Sequence, residues 1–199
     1  PTCDSAQPGG GLEIARRMFD TWRGEALVRP IVAPHGTTTC NEALLRAGVE
    51  LAAGQNALFT LHASEMDYEM KYFAERGETP TRYLKRIGAV NERLLAGHCI
   101  HLTTDDIEIL AEGNAAIAQC IGSNTKAGKG VAPMAAAARA GVRFGLGTDG
   151  PSSGNTLSLF DQMRLFADAH KTANRDRALF PAKEIVRAAT RGGAQALHA

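Results

Sequence analysis

The sequence predicts an α/β fold of the parallel barrel type, and two observations carry that expectation. Apolar runs of strand length alternate with amphipathic stretches of helix length, an order that gives right-handed crossover units and a parallel sheet. Four of the strand-like runs also lead into a side chain able to bind a metal or move a proton. These are Ile31-Val32-Ala33-Pro34-His35, Leu58-Phe59-Thr60-Leu61-His62, Leu94-Leu95-Ala96-Gly97-His98 and, ahead of Gly147-Thr148-Asp149, Val142-Arg143-Phe144-Gly145-Leu146. A parallel α/β barrel builds its active site at the carboxyl ends of its strands in this way.

Taken in order, residues 1–10 read as a loop. Residues 11–23 form an amphipathic helix, because Leu12, Ile14, Ala15, Met18, Phe19 and Trp22 recur at helical spacing. A strand over 27–32 stops at Pro34 and Gly36, and Thr39 or Asn41 caps a helix over 41–53. The next strand covers 57–61, followed by helical pieces over 65–77 and 80–87. A third strand covers 93–99. Thr103-Thr104-Asp105-Asp106 then opens a helix to 111, with a cap and an acidic first turn suited to the helix dipole. A fourth strand covers 114–120, a glycine and lysine loop covers 126–130, and Pro133 starts an alanine-rich helix to 140. The fifth strand, 142–146, precedes a long helix over 157–173 and a last helix over 182–190, begun at Pro181. Gly192-Gly193 is expected to loosen the end of the chain.

With 199 residues and 44% apolar composition, the chain can bury one core. It has no apolar run of the roughly 18 residues that a membrane helix needs. Its 22 Lys and Arg balance 21 Asp and Glu, so it lacks the basic face of a nucleic-acid binder and points to a small-molecule substrate. Self-association into a homo-oligomer stays open. Cys3, Cys40, Cys99 and Cys120 include no Cys-x-x-Cys pair, which fits reduced thiols in a cytoplasmic protein. The chain starts at Pro1 without an initiator Met or a signal-like segment, so further residues are expected before it.

The chemistry sits at the strand ends. His62 and Glu65 form His-x-x-Glu, where an imidazole can ligate a metal and a nearby acid can move protons. Alone, that spacing also suits a histidine hydrogen-bonded to a loop, and Asp149 alone suits a turn. Four such residues at four strand ends are harder to explain by turns. In His98-Cys99-Ile100-His101, strand periodicity lets at most one histidine face the site.

These motifs, with Ser123-Asn124-x-Lys126, Gly130-x-Ala132-Pro133 and Gly147-Thr148-Asp149-Gly150, resemble the amidohydrolase superfamily. The likeness is nearest to aminohydrolases that deaminate methylthioadenosine, S-adenosylhomocysteine and related purines, and it spans nearly the whole chain. It implies that residues 1–199 are the carboxyl-terminal part of a (β/α)8 barrel, covering about strands 4 to 8. It also implies one divalent metal, zinc or alternatively iron, with His62 and Asp149 as ligands. Asp149 would take a proton from water, the resulting hydroxide would attack the amino-bearing ring carbon, and Glu65 would contact the substrate and protonate the adjacent ring nitrogen. His98 would polarise the attacking group, and His35 and Ser153 would touch the substrate.

The chain departs from the family pattern in several places. No His-x-His pair occurs in it, so two usual metal ligands are missing, and Gln119-Cys120-Ile121-Gly122 replaces the usual His-Asn-Pro or His-Cys-Pro. The flanking sandwich domain is absent too. The chain alone is therefore expected neither to close a barrel nor to hold a metal tightly. Guanine-like or triazine-like rings, or a truncated non-catalytic barrel, are the alternative readings.

Overall fold

The computed structural model describes residues 10–199. Helix α1 (Gly10–Thr21) and α2 (Glu42–Gly54) precede β1 (Phe59–Ala63). Next come α3 (Asp67–Ala74), α4 (Pro80–Arg86), β2 (Leu94–His98), α5 (Thr104–Glu112) and β3 (Ala116–Gln119). The rest is α6 (Ile121–Lys126), α7 (Met134–Arg139), β4 (Arg143–Leu146), α8 (Gly150–Gly154), α9 (Leu159–Asn174), α10 (Ala182–Arg187), a π-helical turn (Ala188–Gly192) and α11 (Gly193–Ala196). The loop expected over residues 1–10, and Cys3, lie outside the described residues except for Gly10, which begins α1.

The four strands lie side by side in sequence order, all parallel. Register pairs Ala63 with His98 and Gln119 with Leu146, which brings all four carboxyl ends to one rim. The sheet is open. Local chemistry sets the helix starts: Asn41 accepts from the Leu44 amide at 2.8 Å, Thr79 caps α4 ahead of Pro80, and Thr103 and Asp106 form a reciprocal capping box on α5. The core between sheet and helices is apolar, with Leu45, Leu84, Leu94, Leu110, Ile117 and Phe73 buried.

Three expectations are corrected. The five expected strands become four, because residues 27–32 make only one isolated bridge, Val32 to Phe59, and the next, Gly36 to His62, lies beyond them. Pro30 has no amide to donate, and Leu27 and Ile31 stand exposed at the sheet edge, unpaired on their outer side among the described residues. His62 lies inside β1, which runs two residues later than expected, and Glu65 lies in the loop ahead of α3. Gly192-Gly193 does not loosen the chain. A side-chain carbon on Gly192 would fall 2.8 Å from the Phe144 carbonyl, and one on Gly145 would fall 2.6 Å from the Gly193 backbone. The glycines let the last helical segment approach β4 closely.

His170 on α9 is fully buried between Phe166 and Phe180, at ring separations of 4.2 and 5.5 Å. Neither ring nitrogen has a hydrogen-bond partner among the described residues. Burial pulls its pKa from 6.5 down to about 4. Between those values the unfolded chain binds a proton that the folded chain refuses, so this stability is complete above pH 6.5 and drains away as pH falls through about 4. Its size is on the order of 3 kcal/mol. Thermal melts of the wild type should therefore drop more steeply from pH 7 to pH 4 than melts of His170→Leu. Parallel pH profiles would rule this out.

Candidate active site

At the end of β1, the loop beyond the Val32 bridge is drawn against the strand, and His62 Nδ1 makes a short hydrogen bond to the His35 carbonyl. A carbonyl only accepts, so Nδ1 carries the proton and the Nε2 lone pair faces the rim. The His35 ring stands 4.8 Å from the His62 ring and is tied to the Thr39 hydroxyl at 2.7 Å.

The backbone at the rim is strained where it carries chemistry. His98 and Cys99 at the end of β2 take φ of +66° and +53°, and Ser64 and Asp149 take +51° and +57°. Left-handed conformations at residues other than glycine cost of the order of 1–3 kcal/mol each and persist where the surroundings impose them. At His98 the kink turns the ring inward, stacked on His62 at 5.3 Å with 21° between the planes. His101, past the kink, points outward toward Asp67 at 3.5 Å. Of the two histidines, His98 is the one in the cluster.

Four charged or chelating groups then converge. His98 Nε2 lies 3.6 Å from Glu65 Oε1 and 3.9 Å from Asp149 Oδ2. One donor atom each from His62, His98 and Asp149 lies within 4.8 Å of the others. Two imidazoles and a carboxylate form a nitrogen and oxygen donor set of the kind zinc takes. His62 commits its other ring nitrogen to a carbonyl, which leaves Nε2 free to ligate, so the residues present fit a divalent ion.

Glu65 is gripped on two sides. Lys129, from the loop after α6, donates to Oε1 at 2.5 Å, with both side chains mostly buried. The Glu65 backbone amide donates to Glu69 Oε2 at 2.8 Å. The other oxygen of Glu69 accepts from the Ser64 amide at 3.1 Å and from the Thr37 hydroxyl at 2.5 Å. The buried Glu69 carboxylate thus ties the loop after β1 to the loop bearing His35. Sequence reasoning missed Glu69 and Lys129. Glu69 stands four residues beyond Glu65, but its partner Thr37 is 32 residues away.

Asp149 stands three residues beyond β4, at the start of α8, and Ser153 sits half-buried in that helix. The Lys126 ammonium reaches Asn155 at 2.8 Å just past it. Behind the site, Cys99 and Cys120 are buried, and burial pushes both thiols up, Cys120 to about 12. They are protonated packing groups at neutral pH. Cys40 is also a free buried thiol.

Among the described residues no helix is long and apolar enough to cross a membrane. The model of the amidohydrolase family matches residues 8–199. The chain is 35% identical over 189 residues to a 5-methylthioadenosine/S-adenosylhomocysteine deaminase of Thermoanaerobacter pseudethanolicus, covering 94% of this chain and 44% of that protein. Among solved structures, it superposes with a TM-score of 0.90 and 35% identity on a zinc-bound adenosine deaminase of Xanthomonas campestris, covering 94% of this chain and 43% of that one. It also superposes with a TM-score of 0.88 and 27% identity on a zinc-complexed atrazine chlorohydrolase of Arthrobacter aurescens, covering 94% and 42%. The chain therefore spans less than half the length of the relatives it matches.

Proposed function

The chain belongs to the amidohydrolase family, and from that premise we propose that its site serves metal-dependent hydrolytic deamination of an adenine-type nucleoside such as methylthioadenosine, S-adenosylhomocysteine or adenosine. The observation that carries this reading is the meeting of His62, His98 and Asp149 with Glu65 beside them. His62 and Asp149 would hold a divalent ion, zinc being the first candidate because the zinc-bound relatives share this fold. Such an ion lowers the pKa of a bound water to about 7.

The chain's own groups account for the remaining steps. Asp149 takes a proton from the attacking water, whose oxygen bonds to the amino-bearing ring carbon. His98 offers its Nε2 lone pair to that water. Glu65 gives a proton to the adjacent ring nitrogen, and Lys129 on Oε1 leaves Oε2 to make that contact. Asp149 passes the proton it took to the amino nitrogen, the carbon–nitrogen bond breaks as the added hydroxyl becomes the ring carbonyl and returns its proton to Glu65, and ammonia departs. His35 and Ser153 would contact the substrate from the two sides of the rim.

The test is a substrate panel on the full natural chain loaded with zinc. Ammonia should be released from methylthioadenosine, S-adenosylhomocysteine or adenosine. Chloride release from a chlorotriazine, or ammonia from guanine alone, would overturn the adenine assignment.

A further inference from the structure

Behind His98 runs a buried line of side chains that the reaction steps leave unused. His98 Nδ1 meets Asn124 Oδ1 at 2.8 Å, and Asn124 Nδ2 donates to Gln119 Oε1 at 3.0 Å. All three residues are fully enclosed, and the remaining Gln119 nitrogen has no acceptor among the described residues. Gln119 ends β3 and Asn124 lies on α6, so the line is fixed by two separate elements.

An amide has one accepting and one donating end, so whatever holds the NH2 of Asn124 decides which end meets the histidine. Gln119 presents its carbonyl and takes the NH2. The Asn124 carbonyl is left for His98, whose Nδ1 must then carry the proton. The His98 Nε2 lone pair is thereby aimed at Glu65 and Asp149, as the His62 lone pair is aimed by the His35 carbonyl. We propose that Gln119, acting through Asn124, is a positioning residue that sets the tautomer of His98. The proposal rests on the deaminase reading for its purpose, because a lone pair at Nε2 is useful only to a reacting water or an ion. Reversing both amides would put a hydrogen on Nε2 and remove that lone pair.

The experiment is long-range proton–nitrogen NMR of the imidazoles in the metal-free full chain at alkaline pH, where the rings are neutral. The wild type should show His98 protonated at Nδ1. Gln119→Met, close in volume but without an acceptor, should release Asn124 and give a mixed or Nε2-protonated His98. Gln119→Glu can only accept from Asn124 and should restore the wild-type tautomer. In the active enzyme Gln119→Met should lower kcat about 10- to 100-fold, the usual cost of losing a group that orients a site histidine. KM should change little. An Nε2-protonated wild type, or a Gln119→Met spectrum identical to wild type, would overturn the proposal. The spectrum does not depend on turnover, so the relay and the deaminase reading succeed or fail separately.

Discussion

Replacing Glu65 by Gln is expected to lower deamination of an adenine nucleoside by about 100-fold or more while zinc content stays unchanged. The amide keeps the shape of the carboxylate but cannot carry the proton to the ring nitrogen. Its backbone stays pinned by Glu69, so the loop after β1 holds its place. Lys129 keeps an acceptor, because the amide oxygen of Gln can take the place of Glu65 Oε1. Steady-state ammonia release, paired with metal analysis of the same sample, makes the measurement. Near-normal turnover would remove Glu65 from proton transfer, and a parallel loss of zinc would make it a ligand instead.

Replacing Asp149 by Asn should cost more, because it removes the proton acceptor and a metal ligand together. Asn tolerates the left-handed backbone that Asp149 adopts, so the turn before α8 is kept and the loss reports on charge. Groups that merely orient metal ligands are worth about 10- to 100-fold in metal affinity, and a direct ligand should exceed that range. Zinc titration of the variant should show the loss, and turnover should fall with it. Zinc affinity equal to wild type would take Asp149 out of the metal set.

The sequence carried the parallel strand order and the strand ends, because a short apolar run closed by a polar residue is a local pattern. His62, His98 and Asp149 were legible as candidates for the same reason. The edge segment was misread because its apolar pattern is that of a strand, while its pairing depends on neighbours the pattern does not contain. Pro30, with no amide to donate, leaves it one bridge, Val32 to Phe59. The supporting groups were illegible for a related reason. Lys129 meets Glu65 across 64 residues, and Asn124 meets His98 across 26. Only the fold brings them together. The inward turn of His98 was also invisible, since it depends on two consecutive left-handed residues, His98 and Cys99, that no residue preference announces.

Whether His62 and Asp149 hold the metal can be read by anomalous diffraction at the zinc absorption edge from crystals of the full natural chain grown with zinc. One strong peak is expected, bounded by His62 Nε2 and the Asp149 carboxylate, with His98 Nε2 facing it and Glu65 standing clear as the proton carrier. A peak elsewhere in the molecule, with the His62, His98 and Asp149 cluster empty in the same map, would contradict it.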